Sequence, residues 1–195
     1  DRCCLHAQTP CRNSKDQESE EIRDWLEETY PDIERQAEEE EAGILWTDES
    51  GFDADHHPST GYSPKGQRAT MEVPHSHIRR SVISAVGNCG ELHFMTYCGT
   101  LNAALFIVFL EGLLSETTRK IYLITDRLSA HDCDEVWDWV EEHSDRIDMF
   151  LLPRRAPESN PVEYLNNDLK GNVHRDGLPN NKDELVEQIH AFWTK

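Results

Sequence analysis

The chain has 195 residues, enough for one domain or one domain with an appendage, and carries 38 Asp and Glu against 19 Lys and Arg, a net charge of −19. Leu, Ile, Val and Phe total 42, but only four of them lie in residues 1–43, so a globular domain able to bury a core is expected to follow a polar arm. The longest apolar run, Ala103–Leu110, is eight residues against the roughly 20 of a membrane span, and neither a spanning helix nor a secretory leader is expected.

Residues 16–42 hold 13 acids and two basic residues, Arg23 and Arg35. The spacing of Trp25, Leu26, Tyr30 and Ile33 predicts a short amphipathic helix over 20–28, a break at Pro31 and a second helix over 31–41, with the acids on a solvated face. Ile44–Thr47 reads as a short buried strand stopped by Asp48-Glu49-Ser50-Gly51, and residues 53–66 as a loop. Ser81–Val86 and Leu92–Tyr97 are predicted strands joined by the turn Gly87–Gly90. Asn102 is placed to cap a helix from Ala103 to about Leu114 that is apolar almost all round and therefore buried. A strand over Lys120–Thr125 leads to Asp126, a helix follows over Asp132–His143, and a strand over Ile147–Leu152 ends at Pro153. Asn160-Pro161 starts a helix with the stripe Val162, Leu165, Leu169 and Val173, and a last helix spans about Lys182–Trp193. The order predicts an α/β fold, a mixed sheet with helices on both faces.

Period-2 geometry puts Asp48 on one face with Ile44 and Trp46, and Asp126 on one face with Tyr122 and Ile124, each at the carboxyl end of its strand. If the two strands are parallel neighbours, the carboxylates meet at the edge where open α/β sheets bind ligands. Glu163 lies in the first turn of the helix after Asn160-Pro161, on a polar face with Asn167 and Lys170. Three converging carboxylates repel one another, and hard divalent cations, Mg²⁺ or Mn²⁺, offset that cost. A pair of such ions activates water and stabilises a leaving oxygen at phosphorus. The alternative is that these acids only cap helices and end strands.

The ordered motifs resemble the DDE-superfamily endonucleases, and more narrowly the bacterial and archaeal insertion-sequence transposases related to the mariner elements. The resemblance rests on Trp46-Thr47-Asp48-Glu49-Ser50-Gly51-Phe52, Gly61-Tyr62-Ser63-Pro64-Lys65-Gly66-Gln67, Gly99-Thr100-Leu101-Asn102-Ala103, Leu123-Ile124-Thr125-Asp126-Arg127 with His131, and Leu152-Pro153 with Ala156-Pro157-Glu158-Ser159-Asn160-Pro161-Val162-Glu163-Tyr164-Leu165. It covers about residues 16–175, and 36 residues separate Asp126 from Glu163. It implies a ribonuclease-H-like mixed five-stranded sheet flanked by helices. The implied triad is Asp48, Asp126 and Glu163, catalytic and metal-binding, with two Mg²⁺ or Mn²⁺ ions. The substrate it implies is double-stranded DNA, hydrolysed at element ends, with the freed 3′-hydroxyl then joined to target DNA, typically at TA. A homodimer at full length and a cytoplasmic, nucleoid-associated location in a prokaryote are implied as well. Residues 43–195 are then the catalytic domain, and 1–42 an acidic arm, the tail of a missing DNA-binding region.

Lys65 on a loop, Arg127 beside Asp126 and Lys170 beside Glu163 are candidate DNA contacts; a solvated turn lysine and a structural salt bridge are the alternatives for the first two. His131 and Asn160 are supporting candidates, with helix capping or packing as the alternative for His131. Asn166 stands where many relatives have Trp, which is read as touching packing more than chemistry. Two cation-site candidates, Cys3, Cys4, His6 and Cys11, and His56, His57, His75 and His77, are set aside for irregular spacing and a Pro-rich loop. The six cysteines form no C-x-x-C pair and read as reduced thiols of an intracellular protein.

The charge argues against a DNA enzyme, because affinity for DNA comes largely from neutralised phosphates. An absent basic module, a salt-adapted host (Arg outnumbers Lys, 13 to 6) and an inactive remnant acting only as a folded or interaction module are the competing explanations. Another metal nuclease of the same fold is the remaining rival.

Overall fold

Residues 19–39 run as one helical stretch that Pro31 does not break. The computed structural model describes residues 19–54, 64–66, 78–154, 156, 160–174 and 177–193. In it α1 (Ser19–Asp24) opens into a π-helical turn, Trp25–Thr29, before α2 (Tyr30–Glu39), and the Tyr30 amide donates to the Trp25 carbonyl. Proline inside an α-helix removes one donor and crowds the carbonyl four residues back. The wider turn absorbs both effects, so Pro31 sits in the first turn of α2 instead of ending α1. The acids face outward, while Trp25, Ile33 and Ala37 are buried against the sheet. Trp25, Tyr30 and Trp46 form an aromatic cluster with ring centroids 5.3–5.8 Å apart. The Trp46 indole donates to Asn88 at 2.9 Å.

Five strands form one mixed sheet in the order β3-β2-β1-β4-β5. They are β1 (Gly43–Asp53), β2 (Arg79–Gly87), β3 (Leu92–Tyr97), β4 (Ile121–Thr125) and β5 (Ile147–Leu151). β1, β4 and β5 are parallel neighbours, and β2 and β3 add an antiparallel edge. β1 does not stop at Thr47. Its parallel ladder with β4 ends at Trp46↔Ile124, but its antiparallel ladder with β2 continues to Asp53↔Arg79. Seven further pairs along β2 hold the polar run Asp48–Gly51 extended, a case of tertiary pairing overriding local strand propensity.

Alternation along β1 divides the core. Leu45 faces α3 (Ala103–Glu116) and α4 (Asp134–Glu142) with Leu123, Phe106, Leu110 and Val136. Trp46 faces the other layer with Tyr122, Ile124 and Val162, next to a cluster built by α5 (Val162–Asn172) and α6 (Lys182–Trp193). Asn102 caps α3 by accepting from the Leu105 amide at 2.9 Å. α3 is not buried all round: Val108 is 51% exposed, because only one flank of the helix meets the sheet. The inward stripe of α5 is Val162, Asn166, Leu169 and Val173, with Asn166 buried where Leu165 was expected.

Among the described residues, no helix is long and apolar enough to cross a membrane, and Cys89, Cys98 and Cys133 are unpaired. The groups Cys3, Cys4, His6, Cys11 and His56, His57, His75, His77 lie outside the described residues.

Candidate active site

Two residues past the last parallel pair, Trp46↔Ile124, the same register carries Asp48 and Asp126 to the carboxyl edge of the sheet. The start of α5 closes that edge. Asn160 is buried there and makes the join: its Oδ1 accepts from the Val162 amide at 3.1 Å, and its Nδ2 donates to the Thr47 carbonyl at 2.9 Å. One side chain thus accepts from the first amide of α5 and ties the helix to β1 beside Asp48. Asp48, Asp126 and Glu163 line one cleft of about 450 Å³ together with Asn160, Arg127 and Arg154. Asn160→Ala leaves the buried Thr47 carbonyl unpaired, and is expected to cost about 1–3 kcal/mol in denaturant unfolding and to lower activity by loosening Glu163.

Electrostatics separate the two aspartates. Burial pushes the Asp48 carboxyl up, and the charges of Glu163, Glu49 and Asp126 add to this; the Asn166 amide, donating to Oδ2 at 2.9 Å, opposes it, and the result is about 7. Burial also acts to raise Asp126, but there the His131 ring and the Leu128 amide prevail and hold it below its ordinary value. Leu128 N–H donates to Asp126 Oδ1 at 3.1 Å, and His131 Nδ1 lies 2.8 Å from the same oxygen. His131 has no exposed surface. Burial acts to lower its imidazole, but Asp126 and Glu49 outweigh that and push it up to about 9.

Oxygen donors in a cleft with excess negative charge fit a hard divalent cation. The observation that tests the fit is Asp48: an acid pushed to about 7 by burial and neighbouring carboxylates lacks the positive charge that a cation supplies. Below about pH 7, cation binding at Asp48 is therefore expected to displace a proton. Titration of Mn²⁺ into the protein is expected to release close to one proton at about pH 6 and almost none at about pH 8.5. Calorimetry in buffers of different ionisation enthalpy reads that number. In the metal-free protein the sign is the same: a carboxyl raised from 3.8 to about 7 withdraws stability as pH climbs through that window.

The other sequence candidates separate. Arg127 donates through Nε to the Leu152 carbonyl at 3.0 Å and lines the cleft. Lys170 lines a different hollow, with Gly51, Asp53 and His174. Lys65 is exposed in a turn, Pro64–Gly66. His131 is no helix cap, since α4 starts at Asp134 after Cys133; it bridges two acids instead.

Three residues escaped the sequence reading as site groups. Asn166, not Asn167, carries the carboxamide at the site, and it bonds Asp48 directly, so its role is not confined to packing. Arg154 joins Arg127 at the cleft. Glu49 comes within 3.2 Å of His131, and Glu49, Asp126 and His131 each bring one ligand atom within 4.8 Å of the others. For Glu49 the signal was present: strand alternation sends it to the face of β1 opposite Asp48, toward the turn after Asp126.

A family model described as DDE superfamily endonuclease matches residues 43–186. Among solved structures, the Mos1 transposase paired-end complex with left transposon end has a TM-score of 0.69 at 15% identity, covering 97% of this chain and 59% of that one. The mariner Mos1 paired end complex with Mg gives 0.67 at 14% identity, covering 97% and 59%. The catalytic domain of Mos1 mariner transposase gives 0.58 at 14%, covering 94% and 85%. At these identities the likeness establishes the fold, which is ribonuclease-H-like. The chain spans 59% of the length of the Mos1 chain in the paired-end complex. No curated protein matches it in sequence.

Proposed function

The chain belongs to the DDE superfamily endonucleases, and we propose that residues 43–195 are the catalytic domain of a mariner-related transposase, with 1–42 an acidic arm. It hydrolyses phosphodiesters at the ends of a DNA element and joins the freed 3′-hydroxyl to target DNA. The observation that carries this reading is the convergence of Asp48, Asp126 and Glu163 on one cleft, with Asp48 left short of positive charge.

The three carboxylates are the residues that would hold two Mg²⁺ or Mn²⁺ ions. When bound, such a pair polarises the phosphoryl group, activates the attacking oxygen and stabilises the leaving one. Asn166 leaves the second oxygen of Asp48 free for the cleft, and His131 and the Leu128 amide orient Asp126. Arg127 and Arg154 supply the cationic wall against which a phosphodiester sits. In the first step a water oxygen forms the new bond to phosphorus and the 3′-oxygen leaves as a hydroxyl, its proton balance closed by the water. In the second that hydroxyl attacks a target phosphodiester and the target's own 3′-oxygen leaves. Both are in-line displacements by oxygen at phosphorus, so one site serves both. Homodimeric synapsis of two ends belongs to the same reading.

Supercoiled DNA incubated with Mn²⁺ across a salt series tests it, since screening removes the repulsion set up by −19 net charge. Nicking that disappears in Asp126→Asn is expected, and rejoined strands appear when a 3′-hydroxyl end is supplied. Absence of nicking at every salt concentration, from folded protein, overturns the proposal.

A further inference from the structure

Asp48 and Glu49 are consecutive on β1, so their side chains leave on opposite faces of the sheet. Asp48 faces the cleft and α5. Glu49 faces the layer of α3, where Phe106 packs on the His131 ring with centroids 4.2 Å apart. The chain after β4 turns back through Leu128, whose carbonyl accepts from the amides of His131 and Asp132. That turn lays the imidazole between the two acids: Nδ1 is 2.8 Å from Asp126 Oδ1, and Nε2 is 3.2 Å from Glu49 Oε1. The Thr125 hydroxyl lies 2.9 Å from the same Nδ1. Among the described residues, His131 Nε2 and Glu49 Oε1 are buried and make no hydrogen bond, so this 3.2 Å ion-pair contact is the polar contact each has. Among the described residues, Glu49 is thus the polar group that meets the far end of the ring.

We propose that Glu49 is a positioning residue that, from behind the sheet, fixes the His131 ring and through it the orientation of the Asp126 carboxylate toward the cation. The inference rests on the reading of Asp126 as a cation ligand. Without Glu49 the ring keeps the Phe106 packing and the Thr125 and Asp126 contacts at Nδ1, but loses the polar contact that fixes its Nε2 end. Asp126 Oδ1 then keeps only the Leu128 amide as a fixed donor, and the carboxylate can rotate away from the cleft. A carboxylate–imidazole–carboxylate arrangement of this kind does for an oxygen ligand what outer-shell acids do for metal-bound histidines, where removal typically costs 10–100-fold in affinity.

The test uses the full chain and Mn²⁺ alone, with bound ion read by electron paramagnetic resonance. Glu49→Ala is expected to raise the Mn²⁺ dissociation constant about tenfold. Glu49→Gln, which keeps an acceptor oxygen at the same reach, is expected to stay within about threefold of the parent. His131→Ala is expected to match Glu49→Ala, and the double variant to be no weaker than His131→Ala, because the two residues act in series. Additive losses, an unchanged Glu49→Ala, or a Glu49→Gln as weak as Glu49→Ala each overturn the proposal. A second readout needs no metal: the His131 Nδ1–H proton resonance is expected to exchange slowly in the parent and in Glu49→Gln, and to be lost in folded Glu49→Ala. Its persistence in Glu49→Ala overturns the proposal whatever the cation does. Parent protein that binds no Mn²⁺, or binds it as well with Asp126→Asn, overturns the cation-site reading instead, and the proton resonance then still decides whether Glu49 holds the ring.

Discussion

Asp48→Asn is expected to lower Mn²⁺-dependent nicking by more than about 10³-fold and, at the same time, to make the metal-free protein more stable. The two effects share one cause. Asp48 is a largely buried carboxyl facing the charges of Glu163, Glu49 and Asp126. At neutral pH its ionised form is the one the fold disfavours and the one a cation needs. Asparagine keeps the shape and an oxygen to accept from Asn166, and removes the charge. The gain should be about 1–3 kcal/mol, or several degrees in thermal midpoint for a chain of this size. It should be largest above pH 7 and vanish below about pH 4, where the parent carboxyl is neutral in both states. A scan of thermal midpoint against pH for both proteins, with chelator present, measures it. Lower stability of the variant at pH 8 would show that Asp48 is a structural anchor and not a charge held for a ligand.

Phe106→Ala is expected to be the most destabilising single change among the residues around the site, at about 3–5 kcal/mol out of a total of roughly 5–15. Phe106 has no exposed surface, sits in the core between α3 and the sheet, and packs against His131. Its removal opens a cavity and takes the floor from under the imidazole. Leu113→Ala separates these consequences. Leu113 is as deeply buried on the same helix, about 10 Å further along it. Both variants should lower the thermal midpoint by roughly 10 °C, but only Phe106→Ala should also weaken Mn²⁺ binding at a temperature where both remain folded. Equal Mn²⁺ affinity in the two would mean that the ring contact does not support the site.

The parts of this site that were legible in the sequence are those set by local geometry. Asp48 and Asp126 each follow an apolar strand by a fixed alternation, and Asn160-Pro161 marks a helix start three residues before Glu163. The meeting of the two aspartates required that β1 and β4 be parallel neighbours, and they are; Glu163 joins them through the tie from Asn160 to the Thr47 carbonyl. What was not legible depends on partners distant in sequence. The run Asp48-Glu49-Ser50-Gly51 reads as a strand end by composition, yet β2 keeps it extended through Asp53. Pro31 reads as a helix break, yet a π turn accommodates it. Asn166 reads as a polar residue off the apolar stripe of α5, yet Asp48 provides the charged acceptor that its buried amide nitrogen meets. For Glu49 strand alternation gives the face but not the partner, which becomes visible only when the turn after β4 folds His131 back beneath the sheet edge.

The proposed function requires that Asp48, Asp126 and Glu163 together hold divalent cations in the cleft at the carboxyl edge of β1 and β4. Crystals soaked in Mn²⁺, with anomalous scattering recorded at the manganese edge, test it most directly. Peaks are predicted within coordination distance of Asp48, Asp126 and Glu163, and should be lost from the Asp48→Asn protein. A peak confined to Glu49 and His131 on the opposite face, or no peak at saturating Mn²⁺, would contradict it.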